Sequence, residues 1–348
     1  MQKTNLFTPE SPLNILFYWK VNKELRNYLE NPFKDINNIN LIFLEEIEGE
    51  ALSQALKISQ IIIGWRPKKE HLDKAINLKI YMNPGAGITH LIEMFRELNE
   101  KRKIILINGH GNAYFTAQHA VALLLSVLNK VILHHDLMFK GVWRTGDEEG
   151  KSIPLRNKTI GLLGYGHVNQ LVHKFLSGFD LQFNILRNNW EKGESSELLS
   201  KVNKYSTNQI DSFLRSINIL IVALPLTSET KNLIDLKKLQ LLQPNSILIN
   251  VSRGLIINEK DLYTALKKGI ILGAGIDVWY DYNPEEKKGK KYPFKESFHL
   301  LDNIILSPHR AASPMDDLNR WDEVIKNLFV ILTNKGSLTN IVDLENEY

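Results

Sequence analysis

Short apolar runs alternate with stretches of helical spacing along the first third of the chain. Five of these runs are rich in β-branched residues and end at breakers or polar residues: NILFYW (14–19), INLIFL (39–44), QIIIGW (60–65), LKIYMN (78–83) and KIILIN (103–108). Continuous apolar strands separated by helices are typical of a parallel sheet that is covered on both faces. The pattern therefore predicts a parallel α/β unit.

A long apolar segment follows, FTAQHAVALLLSVLNKVILHHDLMF (115–139). Its spacing predicts one helix, and its first half is apolar on nearly every side, which favours burial between layers. The polar, glycine-containing stretch RTGDEEGKS (144–152) comes after it.

A second alternation of strands and helices begins at residue 159. Its strands are predicted in TIGLLG, LQFNIL, NILIVAL, SILINVS, ILGAGIDV and NIILSP. This order is typical of a doubly wound nucleotide-binding domain. A last helix is predicted in MDDLNRWDEVIKNLFVILTN (315–334), after the final strand.

The bulk composition sets limits on the class of protein. A chain of 348 residues is expected to form two domains. The net charge is +4, and the basic residues are interleaved with acids except in EEKKGKK (285–291), which is typical of a solvated loop rather than a nucleic-acid surface. Cysteine is absent, so no disulfide framework, thiolate nucleophile or zinc cluster is expected, and no metal site is predicted. We find no apolar run of the roughly 18 to 20 residues that a membrane span needs and no secretory leader, so we expect a cytoplasmic protein that binds neither membrane nor nucleic acid.

The segment IGLLGYGHVNQ (160–170) indicates a strand, a glycine turn and the start of a helix. Gly164 permits the tight turn, and Gly166 lets a pyrophosphate approach the backbone at the positive end of the helix. Asn169 stands where a third glycine is usual. That glycine serves helix–strand packing, so its loss is compatible with dinucleotide binding.

The second predicted strand of this domain ends on Arg187, where a carboxylate would bind the ribose hydroxyls of NAD. A guanidinium pairs instead with the 2′-phosphate of NADP. The sequence therefore predicts NAD or NADP as cofactor and favours NADP. In the alternative, Arg187 points to solvent and the cofactor is NAD.

Taken together, several motifs resemble those of the D-isomer-specific 2-hydroxyacid dehydrogenases, a family that includes glyoxylate and hydroxypyruvate reductases, phosphoglycerate dehydrogenases and the related formate dehydrogenases. The resemblance extends from about residue 78 to 332. It rests on the glycine turn and on six further motifs: NPGAGITHL (83–91), NAYFTAQHAVALLLS (112–126), ALPLTSETKNLID (223–235), ILINVSRGLIIN (247–258), GAGIDVW (273–279) and NIILSPHRAAS (303–313).

The resemblance implies an α/β fold of two doubly wound parallel-sheet domains. A Rossmann cofactor domain (116–312) is inserted into a discontinuous, flavodoxin-like substrate domain (1–115 and 313–348), the active site lies in the cleft, and the protein is a homodimer. The implied cofactor-binding residues are Gly164, Tyr165, Gly166, His167, Val168, Arg187, Leu224, Pro225, Thr230, Val251, Ser252 and Asp277, with Asp277 at the nicotinamide carboxamide. The implied substrate-binding residues are Ala86, Gly87, Asn112 and Arg253.

Reduction of a 2-oxo acid requires a cation at the carboxylate and a proton donor at the ketone oxygen. Arg253 follows a predicted strand at the ligand-binding edge of the sheet, and its planar fork suits a carboxylate. His309 follows the last strand, and imidazole suits proton exchange near neutral pH. These two residues are the predicted catalytic pair, whereas His119, on the long helix, is expected to serve in packing.

The chain departs from the family where most members place a glutamate that pairs with the histidine. Counting from Asp277 places Tyr282 there, and aligning on Pro284 places Asn283. Neither carries a negative charge at neutral pH, so His309 is a general acid, a plain hydrogen-bond donor or a relic. Three loop acids are candidates to substitute: Asp281, Glu285 and Glu286. Gln118 also replaces the glutamate that usually precedes the helix histidine.

The sequence therefore predicts an NAD(P)-dependent oxidoreductase that interconverts a small 2-oxo acid and its D-2-hydroxy acid, glyoxylate and hydroxypyruvate being suitable substrates. Two alternatives remain open. One is a cofactor-sensing binding protein without turnover, because the glutamate is missing. The other is oxidation of formate or phosphite, which the uncharged residue at 282 or 283 allows.

Overall fold

A computed structural model of the protein describes residues 12–144, 150–190, 198, 200–314 and 317–348. The described chain divides into two units. The first contains residues up to Asn112 together with those from Pro314 onward, and the second is Ala113–Ser313. Most of the polar stretch predicted at 144–152 lies outside the described residues.

The amino-terminal part of the first unit alternates strands and helices as the apolar pattern predicted. Its elements are β1 (Leu13–Phe17), α1 (Lys23–Glu30), β2 (Ile39–Phe43), α2 (Gly49–Ile58), β3 (Ile61–Ile63), α3 (Lys69–Lys74), β4 (Ile80–Asn83), α4 (Ile92–Lys101) and β5 (Ile105–Asn108). The strands are all parallel, in the order β2-β1-β3-β4-β5. This is the order of flavodoxin-like sheets.

The segment predicted as one long helix is two helices, so that prediction is wrong. α5 (Ala113–Leu128) and α6 (Val131–Phe139) meet at an angle of 64°. Lys130 interrupts them because its φ of 52° lies in the left-handed region, which ends a right-handed helix. The buried residues of α5 lie along one side of the helix, although its apolar first half predicted burial between layers, and α6 has no buried residue.

The second unit is built on a seven-stranded parallel sheet. Its further elements are β6 (Thr159–Leu163), α7 (His167–Leu176), β7 (Gln182–Leu186), β8 (Val202–Tyr205), α8 (Ile210–Arg215), β9 (Ile219–Val222), α9 (Leu236–Leu239), β10 (Ile247–Asn250), α10 (Glu259–Lys267), β11 (Gly273–Ile276) and β12 (Ile304–Leu306). The order is β12-β11-β10-β9-β6-β7-β8. The order in which the strands are added reverses between β6 and β9, which is where doubly wound sheets bind nucleotides at the carboxyl ends of their strands.

The interior strands of this sheet are apolar on both faces. Residues of β6, β9 and β10 alternate between two hydrophobic clusters, one on each side of the sheet, and every residue of β9 and β10 is buried. β8 was missed from the sequence because its VNKY stretch is polar and lies at the edge of the sheet.

The carboxyl-terminal helix α11 (Asp322–Thr333) belongs to the first unit, where Val324, Leu328 and Ile331 pack with residues of β1 and β3. Ile341 then pairs with Ile107 and covers the edge of β5. The boundary predicted at 115/116 falls inside α5. The structure divides before this helix because α5 packs on α7 and on β10 to β12.

Among the residues that the structure describes, no single helix is long and apolar enough to cross a membrane. α5 and α6 reach the required length and composition only when they are counted together across their bend.

Candidate active site

The turn after β6 strongly favours glycine. Gly164 has a φ of 83°, and a Cβ on it would lie 2.6 Å from the carbonyl oxygen of Ala223. Asn169, in place of the third glycine, is fully buried, and its Nδ2 donates a hydrogen bond of 2.7 Å to the carbonyl oxygen of Gly164. The amide therefore fixes the turn from the helix side, and the substitution leaves the turn intact.

The space beside Gly166 is open. Gly166 is the N-cap of α7, no side chain caps the helix, and a Cβ on this glycine would meet nothing within 4 Å. The first N–H groups of a helix need acceptors, and an anion supplies them. The turn therefore fits the pyrophosphate of a dinucleotide.

The segment that resembles the family's cover over the cofactor does lie against the glycine turn. The Cδ2 atom of Leu224 is 2.7 Å from the position of a Cβ on Gly164. Beyond it, the hydroxyl of Thr230 donates to the carbonyl oxygen of Pro225 (2.7 Å) and accepts from the N–H of Thr227 (2.8 Å). These bonds close the segment into a turn beside the candidate nucleotide site.

Arg187, at the end of β7, stacks on an aromatic ring. Its guanidinium carbon lies 5.4 Å from the ring centre of Trp190, and the Lys204 ammonium lies 4.9 Å from the same centre. Burial raises the pKa of the Tyr165 hydroxyl, and the nearby positive charge of Arg187 partly opposes this rise. Two cations thus lie at the end of the second strand, and one of them lies near the glycine turn.

The remaining residues that the family resemblance placed at the cofactor differ in their surroundings. Tyr165 is buried, and its hydroxyl is 2.8 Å from Nδ1 of His173. Val168 and Val251 pack in the hydrophobic cluster on one side of the sheet, while His167 is exposed. Ser252 donates to Oδ1 of Asn250 at 2.8 Å.

Arg253 follows β10 in a turn that is held by Asn250. The Nδ2 of Asn250 donates to the carbonyl oxygen of Arg253 at 3.1 Å, and its Oδ1 accepts from the N–H of Ser252 at 3.1 Å. A Cβ on Gly254 would lie 2.3 Å from the carbonyl oxygen of Trp279, so the turn after β10 and the loop after β11 touch. Burial lowers the pKa of Arg253, but a guanidinium keeps its charge at neutral pH.

Asp277, at the end of β11, is buried and binds the loop that follows β12. Its Oδ1 accepts from the Ser307 hydroxyl (2.5 Å) and the Arg310 N–H (2.8 Å), and its Oδ2 accepts from the Ala311 N–H (3.0 Å). The carboxylate is thus a structural anchor of the histidine loop, a function that the sequence motif did not indicate.

His309 lies in the left-handed region, with a φ of 57°. The two N–H groups that follow it converge on Asp277, as successive N–H groups do around an anion. Nδ1 of His309 lies 4.0 Å from Oδ2 of Asp277. Burial lowers the pKa of His309, the Asp277 carboxylate opposes this effect, and the charges of Arg253 and Arg310 add to it.

The place of the missing glutamate is occupied by Tyr282. Its ring contacts the imidazole of His309 edge to face, with ring centres 5.1 Å apart and an angle of 76°. Asn283 is exposed. Of the candidate loop acids, Asp281 accepts from the N–H of Asn283, and Glu286 pairs with Lys291. Within the described part of the chain, the carboxylate that meets His309 is Asp277.

His119 and Ser307 are polar neighbours that sequence reasoning missed. Nε2 of His119 lies 2.9 Å from the Ser307 hydroxyl and 3.5 Å from Oδ1 of Asp277. The Ser307 hydrogen is given to Asp277, so Nε2 of His119 is the donor to Ser307. The signal in the sequence was the position of His119 in the AQH motif. We expected this side chain to serve in packing, and in the structure it makes a polar contact with Ser307.

Ala86, Gly87 and Asn112 lie in the first unit. Ala86 is exposed in the loop after β4, and its carbonyl oxygen accepts from Nδ2 of Asn108 at 3.3 Å. Nδ2 of Asn83 also donates to the carbonyl oxygen of Gly85. Two asparagines at the ends of β4 and β5 therefore hold this glycine loop from within the unit. Over the described ranges, no three histidine or acidic side chains are grouped to hold a metal ion.

Comparison with known proteins identifies the class. Residues 121–311 match the family model described as "D-isomer specific 2-hydroxyacid dehydrogenase, NAD binding domain". The chain is 29% identical over 289 residues to the glyoxylate reductase of Thermococcus litoralis, which covers 78% of this chain and 82% of that protein. It is 25% identical over 329 residues to the glyoxylate reductase of Pyrococcus furiosus, and the match covers 91% of this chain and 87% of that protein.

Solved structures show the same fold. The NADPH-dependent glyoxylate/hydroxypyruvate reductase of Sinorhizobium meliloti, solved with NADP and sulfate, superposes with a TM-score of 0.75 at 19% identity, over 97% of this chain and all of the other. A D-isomer specific 2-hydroxyacid dehydrogenase of Xanthobacter autotrophicus gives a TM-score of 0.76 at 19% identity.

This chain belongs to the D-isomer specific 2-hydroxyacid dehydrogenase family. It is an NAD(P)-dependent oxidoreductase of the kind that interconverts 2-oxo acids and 2-hydroxy acids, which confirms the class, the fold and the cofactor type predicted from the sequence.

Proposed function

We propose that this protein reduces a small 2-oxo acid such as glyoxylate or hydroxypyruvate, with Arg253 binding the carboxylate and His309 giving a proton to the ketone oxygen. The supporting observation is that Arg253 follows β10 and His309 follows β12, the two strands that flank β11, at the same edge of the sheet, and that the two side chains lie close enough for the charge of Arg253 to lower the pKa of His309. The names of the relatives agree with this substrate class.

Arg253 suits an anion for two reasons. Its guanidinium is largely buried, so its charge is poorly screened, and within the described residues no carboxylate lies within ion-pair distance of it. One Nη1 donor is used by the carbonyl oxygen of Ser252 at 2.5 Å, which leaves the other donors of the fork for the substrate. Holding the acid by its carboxylate fixes the carbonyl for attack.

Asp277 lies beside the imidazole of His309, and the His309 side chain is half exposed, so a ligand can reach it. In the reduction the protonated imidazole gives its proton to the ketone oxygen, and in the oxidation the neutral imidazole takes the proton back. The bound nicotinamide supplies or accepts the hydride. Ala86, Gly87 and Asn112, in the first unit, are proposed as further substrate-binding residues.

The test compares Arg253→Ala with Arg215→Ala, which removes an exposed arginine from α8. Loss of a buried charged hydrogen bond costs about 2 to 5 kcal/mol, so kcat/KM for glyoxylate should fall at least about 30-fold in the first variant. The affinity for NADPH, measured by nucleotide fluorescence, should not change. Equal kcat/KM values in the two variants would refute the assignment.

We further propose a preference for NADP over NAD. Arg187 and Lys204 flank Trp190 at the end of β7 and β8, where the second strand of a doubly wound sheet meets the ribose. Arg187→Gln should weaken NADPH binding about tenfold or more and change NADH binding little, because only NADPH has the phosphate that a guanidinium pairs with. Equal effects on the two nucleotides would contradict the preference.

We propose that the protein forms a homodimer. α6 and the residues after it expose large apolar side chains, including Phe139 (85% exposed) and Trp143 (74%). Contiguous apolar surface of this kind is typical of a protein interface. Light scattering on the wild type should give twice the chain mass, and Phe139→Asp should give the chain mass. A wild type that is monomeric at every concentration would contradict the proposal.

A further inference from the structure

The loop after β11 places Tyr282 against His309 and close enough to Arg253 for their charges to interact. The loop is fixed by backbone hydrogen bonds, since the N–H groups of Tyr280 and Asp281 both donate to the carbonyl oxygen of Pro293, at 3.1 and 3.0 Å. The tyrosine ring lies against the imidazole of His309. Its hydroxyl accepts from the N–H of Trp279 at 3.4 Å. The side chain is therefore folded back over the start of the loop that follows β11.

The hydroxyl of Tyr282 is a neutral donor next to a cation. Burial raises its pKa, the Trp279 hydrogen bond and the charge of Arg253 oppose the rise, and the Asp277 carboxylate adds to it. The hydroxyl keeps its proton at neutral pH because the net effect is upward from an already high value. In the part of the chain that the structure describes, this O–H donates to no acceptor, since its one hydrogen bond is accepted from Trp279.

We propose that Tyr282 is a substrate-binding residue, whose hydroxyl donates a hydrogen bond to the same carboxylate that Arg253 holds. The inference rests on the proposed function and names a further specificity-determining residue for it. The guanidinium fork has donors only, the tyrosine hydroxyl has a donor that is not used, and a carboxylate presents only acceptors.

This arrangement gives a function to the uncharged Tyr282 at the position where most of the family has a glutamate. A carboxylate at 282 would lie near Arg253 and compete with the substrate for its charge, whereas a phenol adds a donor without neutralising the guanidinium. Tyr282 is half exposed, so its side chain is not closed off within the fold. The expected consequence is a preference for acids over the neutral carbonyl compounds of the same size.

The decisive variant is Tyr282→Phe, which removes the hydroxyl and keeps the ring against His309. A hydrogen bond to a charged group contributes more to binding than one between neutral groups. Without it, KM for glyoxylate should rise about 10- to 100-fold. The kcat and its pH profile should stay as in the wild type because the His309 contact remains. Oxalate, a non-reducible acid of similar size, should bind the NADPH-loaded protein more weakly by the same factor in calorimetry.

Tyr280→Phe is the matched control, because it removes a neighbouring tyrosine hydroxyl from the same loop. It should leave KM and oxalate affinity unchanged. An unchanged KM in Tyr282→Phe, or a shifted pH profile with unchanged KM, would overturn the inference, since the tyrosine would then act through His309 or not at all.

Oxalate binding distinguishes a failure of this inference from a failure of the proposed function. A wild type that binds oxalate through Tyr282 but reduces no 2-oxo acid refutes only the latter.

Discussion

The Asp277 carboxylate lies 4.0 Å from Nδ1 of His309 and accepts hydrogen bonds from the backbone N–H groups of the next two residues. A left-handed conformation costs a non-glycine residue about 1 to 3 kcal/mol and persists only where its surroundings enforce it. Here Asp277 enforces it, because Arg310 and Ala311 can both reach the carboxylate only when the chain turns at His309. The aspartate therefore sets both the position of the imidazole and its electrostatic environment.

Asp277→Asn should lower the pH at which reduction is lost. The negative charge of Asp277 opposes the effect of burial on the pKa of His309, so its removal lowers that pKa further and leaves less protonated imidazole. We expect kcat/KM for glyoxylate at about pH 7 to fall tenfold or more, one pKa unit being a factor of ten in the protonated fraction. Asp281→Asn, in an exposed loop position, is the control and should keep the wild-type pH profile.

The wild-type pH profile follows from the same lowered pKa. Reduction requires protonated His309, so its kcat/KM should decline as pH rises through a midpoint below the ordinary histidine value of 6.5. Oxidation of the hydroxy acid requires the neutral ring and should rise through the same midpoint. Initial rates in both directions between about pH 5 and 8 measure it. A midpoint above the ordinary value would mean that the Asp277 charge outweighs burial.

Gly164→Ala and Gly166→Ala should separate folding from nucleotide binding. At Gly164 the new Cβ meets the backbone of Ala223 in a left-handed turn, so the free energy of unfolding should fall by about 1 to 3 kcal/mol. At Gly166 the Cβ enters open space, so stability should be kept. NADPH affinity should nevertheless drop about tenfold, because the methyl group keeps the pyrophosphate from the helix end. Denaturant unfolding and nucleotide titration measure the two effects. Tight NADPH binding by Gly166→Ala would contradict the assigned site.

His173 should make the protein less stable in mild acid. It is fully buried between the hydroxyls of Tyr165 and Ser200, and burial lowers its pKa. In mild acid the unfolded chain therefore binds a proton at His173 that the folded chain does not bind. The free energy of unfolding falls as pH drops below about 6.5. The decline continues until the folded-state pKa is reached. His173→Gln should reduce the loss of unfolding free energy between about pH 7.5 and 5. Parallel curves for variant and wild type would contradict this assignment.

Much of the site was accessible from the sequence because parallel strands end at a common edge. Gly164, Arg253 and His309 each follow an apolar run, and the structure places all three at the carboxyl ends of strands of one sheet. The interior strands were predicted for the same reason, since burial on both faces requires apolar runs.

What the sequence did not predict depends on contacts between distant segments. The anchoring of the His309 loop by Asp277 and the Ser307–His119 contact join residues 30 to 188 positions apart. The break between α5 and α6 arises at Lys130, in a segment whose apolar pattern continues without interruption. The polar edge strand β8 has no apolar run to indicate it.

The central claim is that Arg253 and His309 act on one 2-oxo acid beside a nicotinamide. The direct test is to supply the purified protein with NADPH or NADH in parallel and a panel of 2-oxo acids that includes glyoxylate and hydroxypyruvate, and to follow the absorbance of the reduced nicotinamide. We expect at least one small 2-oxo acid to be reduced, faster with NADPH than with NADH. Cofactor binding without consumption of either nucleotide by any acid of the panel would contradict the account.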